Sequence, residues 1–249
     1  MTAPTPKRIP LSPAGGKIPA LPRLDARLSA ALPFVRGGVV ADVGTDHAYL
    51  PLVLLKTGAC NFAVATDIHK PPAQRAADTL SQYGIGDDQA AVLCTDGLHG
   101  CEELHPTDVM IFGMGGEMII HILTEAPWVR DASVRLILQP MTRQSELRTY
   151  LVQNGFRICD EAMVMTDRPY QIICAEYDGT PRVASPLSLL LGEHNLARRD
   201  EVTLLAAHRQ LDIFTAAREG KLRGAVPDTT IEDAMIAALT DYLQGGTQA

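Results

Sequence analysis

Gly38-Val39-Val40-Ala41-Asp42-Val43-Gly44-Thr45-Asp46-His47 decides the fold. An apolar run of strand length stops abruptly at a glycine flanked by acids, and a helix-sized stretch over 48–56 follows it. The same alternation recurs downstream. Apolar runs at 62–65, 91–94, 108–112 and 135–138 are separated by amphipathic segments at about 72–83, 116–125 and 142–153. Short apolar runs joined by helices predict a parallel sheet with crossover connections. Beyond Gly155, alternating segments at 156–165 and 170–177 flank Asp167-Arg168-Pro169 and predict a terminal antiparallel hairpin. The expected class is therefore α/β, a mostly parallel sheet ending in a hairpin, with residues 23–180 as one unit.

Outside that unit the character changes. Residues 1–22 carry six prolines and no apolar stretch, so they read as a flexible leader without the hydrophobic middle of a signal peptide. A linker is expected near 181–186. Residues 186–249 have helical period, with Leu204, Ala207, Leu211 and Phe214 in one run and Ile231, Met235, Ala238, Leu239 and Tyr242 in another. Gly220 to Pro227 should break the helix, and Thr229 with Glu232 has the spacing of a capping box. A helical hairpin of about 55 residues is the expected appendage.

Composition narrows the function. No apolar run is long enough to span a bilayer, and five cysteines without a C-x-x-C pair fit reduced thiols in a cytoplasm. His69, His99, His105, His121, His194 and His208 show no ligand spacing, so no metal is expected. The net charge of -7 divides into +5 over 1–37, -10 over 38–179 and -2 over 180–249. An acidic body disfavours bulk nucleic-acid binding, which leaves Lys7, Arg8, Lys17, Arg23, Arg27 and Arg36 as the better electrostatic candidates. Arg198, Arg199, Arg209, Arg218, Lys221 and Arg223 are interleaved with acids and read rather as a solvated helix face.

In an open parallel sheet, ligands bind outside the carboxyl ends of the strands. Those ends carry Asp42 with Gly44 and Asp46, then Asp67, Asp96-Gly97, Gly113-Met114-Gly115-Gly116, and Gln139-Pro140. Asp67 follows Asp42 by one crossover, where an acid can accept both hydroxyls of a ribose, and Asp96-Gly97 could place a carboxylate beside an adenine amino group. A nicotinamide cofactor would want G-x-G-x-x-G at the first turn, but that turn has one glycine and two acids. Negative charge repels a pyrophosphate and attracts the ammonium and sulfonium of S-adenosylmethionine. The methyl donor fits better.

The run from Val40 to Pro51, Gly113-Met114-Gly115-Gly116, and Leu136-Ile137-Leu138-Gln139-Pro140 together resemble the bacterial tRNA (adenine-N1)-methyltransferases that modify adenine 22. The likeness extends over about residues 24–177 and more loosely through the tail. It implies a class I Rossmann-like methyltransferase with a small coiled-coil-like domain. The same resemblance gives Gly44 and Asp46 to the methionine end of the cofactor, Asp67 to its ribose, and Asp96 and Gly97 to its adenine. Arg27 falls in a matching Leu-x-x-Arg-Leu segment and could pair with the cofactor carboxylate. Met114, Gly115, Gly116, Gln139 and Pro140 would line the mouth where the base enters. The leader has no counterpart, and Gln171 stands where an acid is common.

Adenine N1 is an unprotonated nitrogen near neutrality and needs no strong base, but its methylated product is cationic. Asp46 is the first candidate for stabilising that charge, His47 is a weaker one, and Tyr49 could stack on the base. No N-P-P-Y or D-P-P-Y segment follows the fourth strand, which argues against the usual exocyclic-amine methyltransferases. The expected partner is tRNA, with no membrane and no metal, and a monomer is favoured. Alternatives are a methyltransferase for another RNA position or a small molecule, a non-catalytic S-adenosylmethionine- or RNA-binding module, and more distantly a nicotinamide oxidoreductase.

Overall fold

The computed structural model describes residues 6–15, 18–224 and 228–246. Its strands are β1 (Lys7–Ile9), β2 (Val39–Val43), β3 (Phe62–Asp67), β4 (Ala90–Cys94), β5 (Asp108–Met114), β6 (Arg135–Pro140), β7 (Phe156–Met165) and β8 (Pro169–Tyr177). They form one sheet in the order β1-β4-β3-β2-β5-β6-β8-β7. The β2–β6 block is parallel, as its apolar runs require, because both faces are covered by helices. β8 is antiparallel to β6 and β7 to β8, so the hairpin closes one edge. Chain order reverses at β2, whose neighbours are β3 and β5, and the crevice at that switch point is where such sheets take ligands.

The helices α1 (Ala26–Ala31), α2 (Tyr49–Lys56), α3 (Lys70–Gln82), α4 (Gly116–Glu125) and α5 (Gln144–Gln153) surround the sheet. One face packs Leu52, Leu54, Ala76 and Leu80 over Val40, Ala63 and Val92, and the other packs Ile119, Leu123, Leu147 and Leu151 over Val109, Ile111 and Leu136. α3 starts two residues earlier than its sequence suggests. Pro71 and Pro72 fall in its first turn, where the missing N–H groups have no intrahelical partner to lose.

The leader is corrected. Lys7–Ile9 pairs antiparallel with β4, Ile9 and Leu11 are buried, and Ser12 and Ala14 donate their N–H groups to Ser81. The Tyr83 hydroxyl holds the Ala20 carbonyl at 2.8 Å. An edge strand that would otherwise expose its backbone is thereby covered. Lys17 lies outside the described residues.

The appendage comprises α6 (Pro186–Leu191), α7 (Glu193–Arg198), α8 (Glu201–Leu222) and α9 (Thr230–Leu243). Leu187, Leu191, Leu196, Ala207, Met235, Leu239 and Tyr242 form its core, which also takes in Met163 of β7. The appendage is therefore packed on the hairpin rather than merely tethered to it. Three expectations change. α8 runs through Gly220 to Leu222; Ile231 is exposed; and Thr229 bonds Asp233 while Glu232 turns to Lys221, so no capping box forms.

The junction holds a buried ion pair. Arg148 of α5 donates Nε to Glu161 Oε1 of β7 at 2.8 Å, and both side chains are almost fully enclosed. Glu161 Oε2 also accepts the His194 N–H at 3.1 Å, and Arg148 Nη1 reaches the Leu189 carbonyl at 3.2 Å. A Cβ at Gly192 would come within 2.3 Å of the Glu161 carboxylate, so only glycine fits there.

Candidate functional site

The first strand–helix turn is built from left-handed residues. Gly44 (φ 75), Asp46 (φ 46) and Ala48 (φ 54) alternate with ordinary ones before α2 begins. Glycine adopts this conformation freely and aspartate tolerates it, but alanine is strained by roughly 1–2 kcal/mol. Gly44 and Thr45 donate their N–H groups to the Thr66 carbonyl at 2.8 and 3.0 Å, which fixes the turn against β3. Ala48 is fully buried, so the strained position admits no larger side chain.

The turn opens into a cleft of about 300 Å³. Asp42 lies at its floor with one oxygen held by the Thr45 hydroxyl at 2.7 Å. Burial pushes the Asp42 carboxyl up to about 6, against the opposing effect of that hydrogen bond. At the rim, Asp46 Oδ1 meets Arg75 Nη2 of α3 at 2.5 Å, and its other oxygen lies 3.5 Å from His47 Nε2. The His47 and Tyr49 rings stack at 5.3 Å and 16°, and Tyr49 is 42% exposed.

Across the cleft, Gly113 is a β-bulge. Phe112 pairs with Gln139 and Met114 with Pro140, so Gly113 has no partner in β6. Its N–H points to Gln139 Oε1 at 3.3 Å, and the space a Cβ would take is empty to 4 Å. Arg27 completes the wall, with Nη2 bound to Asp25 at 2.7 Å and its guanidinium 5.1 Å from the Tyr170 ring centre.

Arg27, Asp42, Gly44, Asp46, His47, Tyr49, Gly113 and Gln139 are thus brought together around one cleft. The other sequence candidates are not. Asp67 ends β3 and accepts the His69 N–H at 2.8 Å. Asp96 and Gly97 line a separate recess with His99 and His121, and the Gly97 carbonyl is held by Thr66. Gly115 is the residue before α4, and a Cβ at Gly116 would collide with the Thr142 and Arg143 carbonyls. Pro140 is buried in strand pairing, while Met114 sits behind the turn, its Cε 2.5 Å from where a Gly44 Cβ would stand. None of these four is among the residues that line the cleft. Sequence reasoning missed Thr45, Phe112 and Leu28 in the cleft lining and Arg75 as the partner of Asp46. A threonine three residues after a strand-terminal acid is the one signal that was available, as local Asp–Thr bonding is common.

Among the described residues, no group of three or more His, Cys, Asp or Glu is placed to hold a metal ion, and no helix is long and apolar enough to cross a membrane.

A switch-point cleft floored by a buried acid and rimmed by a strained turn defines a Rossmann-like α/β protein built to take a small ligand. Residues 24–173 match the profile of a methyltransferase-domain family, and the chain belongs to that family. A Bacillus subtilis protein named tRNA (adenine(22)-N(1))-methyltransferase is 29% identical over 172 residues, 68% of this chain and 72% of that one. A Streptococcus pneumoniae crystal structure, assigned provisionally as a tRNA (m1A22) methyltransferase, superposes with TM-score 0.81 at 28% identity, covering 89% of this chain and 100% of that one. The same Streptococcus protein in complex with S-adenosyl-L-methionine gives TM-score 0.76 over the same shares.

Proposed function

We propose that the protein transfers a methyl group from S-adenosylmethionine to N1 of adenine 22 in tRNA. The observation that carries this is the likeness over 89% of the chain to a structure of that assignment, combined with an acid-lined cleft at this chain's own switch point.

The residues fit the cofactor. A buried carboxyl at Asp42 and an exposed one at Asp46 complement positive charge, whereas they would repel the pyrophosphate of a dinucleotide. Gly113 leaves open space, and Gly44 presents backbone without a side chain. Gly44, Asp42 and Asp46 would hold the methionine end, with Arg27 for its carboxylate; Asp67 at the end of the neighbouring β3 would take the ribose hydroxyls, and Asp96 and Gly97 after β4 the adenine. The cofactor would then lie along the strand ends from the cleft to the separate recess. The cofactor supplies an electrophilic methyl on a sulfonium.

This chain's groups do the rest. Adenine N1 carries an unprotonated lone pair near neutrality and would need no strong base, so positioning and charge stabilisation dominate. Asp46, exposed at the rim, faces the cation that forms on the base. Arg75 holds the carboxylate in place, and His47 lies 3.5 Å from its other oxygen. The half-exposed Tyr49 ring, backed by His47, offers a stacking face. Gln139 and Gly113 form the opposite wall, with Met114, Gly115, Gly116 and Pro140 behind it. Since N1 lies on the pairing edge, the base arrives unpaired or flipped out. Five free cysteines agree with a cytoplasmic location.

The test is methyl transfer from labelled S-adenosylmethionine to unmodified tRNA, followed by nucleoside mass spectrometry. N1-methyladenosine is expected. Cofactor binding with no tRNA nucleoside methylated would leave a methyltransferase of another substrate.

A further inference from the structure

Next to the cleft a second groove of about 330 Å³ lies over the end of α6 and between three further segments that meet only on folding. These are the turn after β6 (141–144), the hairpin tip (168–171) and one face of α8. Arg143, Arg168 and Arg209 line it together with Gln210 and Ile213, the last of which is 50% exposed. Three guanidinium groups thus gather on one concave surface of a protein whose net charge is -7.

Two of the three, Arg168 and Arg209, are free of acids among the described residues. Arg8 of the leader, Arg36, and Arg198, Arg218 and Lys221 of the tail are paired with Asp87, Asp108, Asp160, Asp233 and Glu232. Arg23, Arg199 and Arg223 have no ion pair among the described residues but do not line the groove. Arg143 is shared between Glu117 and Glu146 at 3.1 and 3.2 Å. Arg168 and Arg209 form no ion pair with any described residue. The acid beside Arg168, Asp167, is taken by the Thr166 and Tyr170 hydroxyls at 2.8 and 3.0 Å.

The groove adjoins the cleft through side-chain contacts. Tyr170 stands between them, with Arg168 5.0 Å from its ring centre on the groove side and Arg27 of the cleft at 5.1 Å. Met141 lines the groove, and its sulfur meets Arg27 Nη1 at 3.7 Å and Gln139 Nε2 at 3.6 Å.

We infer that this groove seats the phosphate backbone of the RNA strand that carries the target base into the cleft, with Arg168 and Arg209 as the phosphate contacts. The inference rests on tRNA being the substrate and adds where its backbone lies. Planar guanidinium groups suit phosphate oxygens, and such contacts set register without reading sequence. The appendage then has a direct part in docking, through α8.

The experiment compares wild type, the double variant Arg168→Gln/Arg209→Gln, and a control, Arg130→Gln, remote from both cavities. Affinity for unmodified tRNA is measured across a salt series, with steady-state methyl transfer and cofactor affinity alongside. The double variant is expected to bind tRNA about tenfold or more weakly near 0.1 M salt, with a salt slope shallower by about one to two. Its KM for tRNA should rise while kcat stays within about twofold, and its cofactor affinity and that of the control should match wild type. Wild-type affinity and slope in the double variant would overturn the groove alone, provided the wild type methylates tRNA. A loss confined to kcat, or a loss of cofactor affinity, would also overturn it by making the arginines catalytic or structural. If the wild type neither binds nor methylates tRNA, the substrate assignment falls and the groove with it.

Discussion

Asp46 of the first strand–helix turn and Arg75 of α3, 29 residues apart, meet at 2.5 Å on the rim of the cleft. Both are about half exposed, so the pair contributes little stability. Its effect is to aim a carboxylate over the cleft mouth. Asp46→Asn should lower kcat by about 10²-fold with tRNA affinity nearly unchanged. Arg75→Gln should cost less, about tenfold, because the carboxylate remains but is less well held. Steady-state kinetics with a separate binding assay decide this, and equal losses in both assays would make Asp46 architectural.

Asp42 gives a pH signature. Folded Asp42 keeps its proton up to about 6, whereas an unfolded aspartate loses it near pH 4. The folded state therefore binds the extra proton between those values, and the stabilising contribution, full below about pH 4, is lost as pH rises through about 6. Asp42→Asn should stabilise the free protein by about 1–3 kcal/mol above pH 6 and little below pH 4. Affinity of the wild type for S-adenosylmethionine should rise between about pH 5 and pH 7 as the carboxylate forms, and calorimetry should find that rise flattened in Asp42→Asn.

The Arg148–Glu161 pair tests how the appendage is joined. Removing one partner strands a buried charge, so Arg148→Met should destabilise by about 3–5 kcal/mol in denaturant titration. Adding Glu161→Gln, which keeps an acceptor for the His194 N–H, should recover more than half of that loss. Truncating 186–249 is a poorer probe of RNA docking, since it would also uncover Met163 and remove the Leu189 and His194 contacts of the pair.

Thiol chemistry should separate Cys159 from the buried Cys60 and Cys101. It faces Cys174 across the hairpin with 3.2 Å between sulfurs, and the Cys174 thiol's hydrogen bond brings Cys159 down to about 7 while Cys174 moves up. Burial pushes Cys60 and Cys101 up to about 12. In the native protein at neutral pH, iodoacetamide with peptide mapping should therefore modify Cys159 well before Cys60 or Cys101.

The parallel sheet was legible because buried strands leave continuous apolar runs and their ends leave glycines and acids, as at Asp42-Val43-Gly44. β1 was not, because Lys7-Arg8-Ile9 is three residues between prolines and takes its shape from β4. Cleft residues near one another in sequence, such as Asp42, Gly44, Asp46 and His47, could be gathered in advance. Pairings across the fold could not. Nothing local distinguishes Arg75 from a surface arginine, or Arg148 from a helix-face charge, until α3 and α5 are packed. The same holds for Arg209, which helical spacing alone places on a solvated face and folding places beside Arg168.

The central claim is N1 chemistry on one nucleotide. The most direct measurement uses two synthetic tRNAs, one with adenosine at position 22 and one with 1-deazaadenosine there, in which a C–H replaces N1. Methyl transfer from S-adenosylmethionine to the first and none to the second is the predicted result. Equal transfer to both would contradict the account, since the methyl would then be going to another atom.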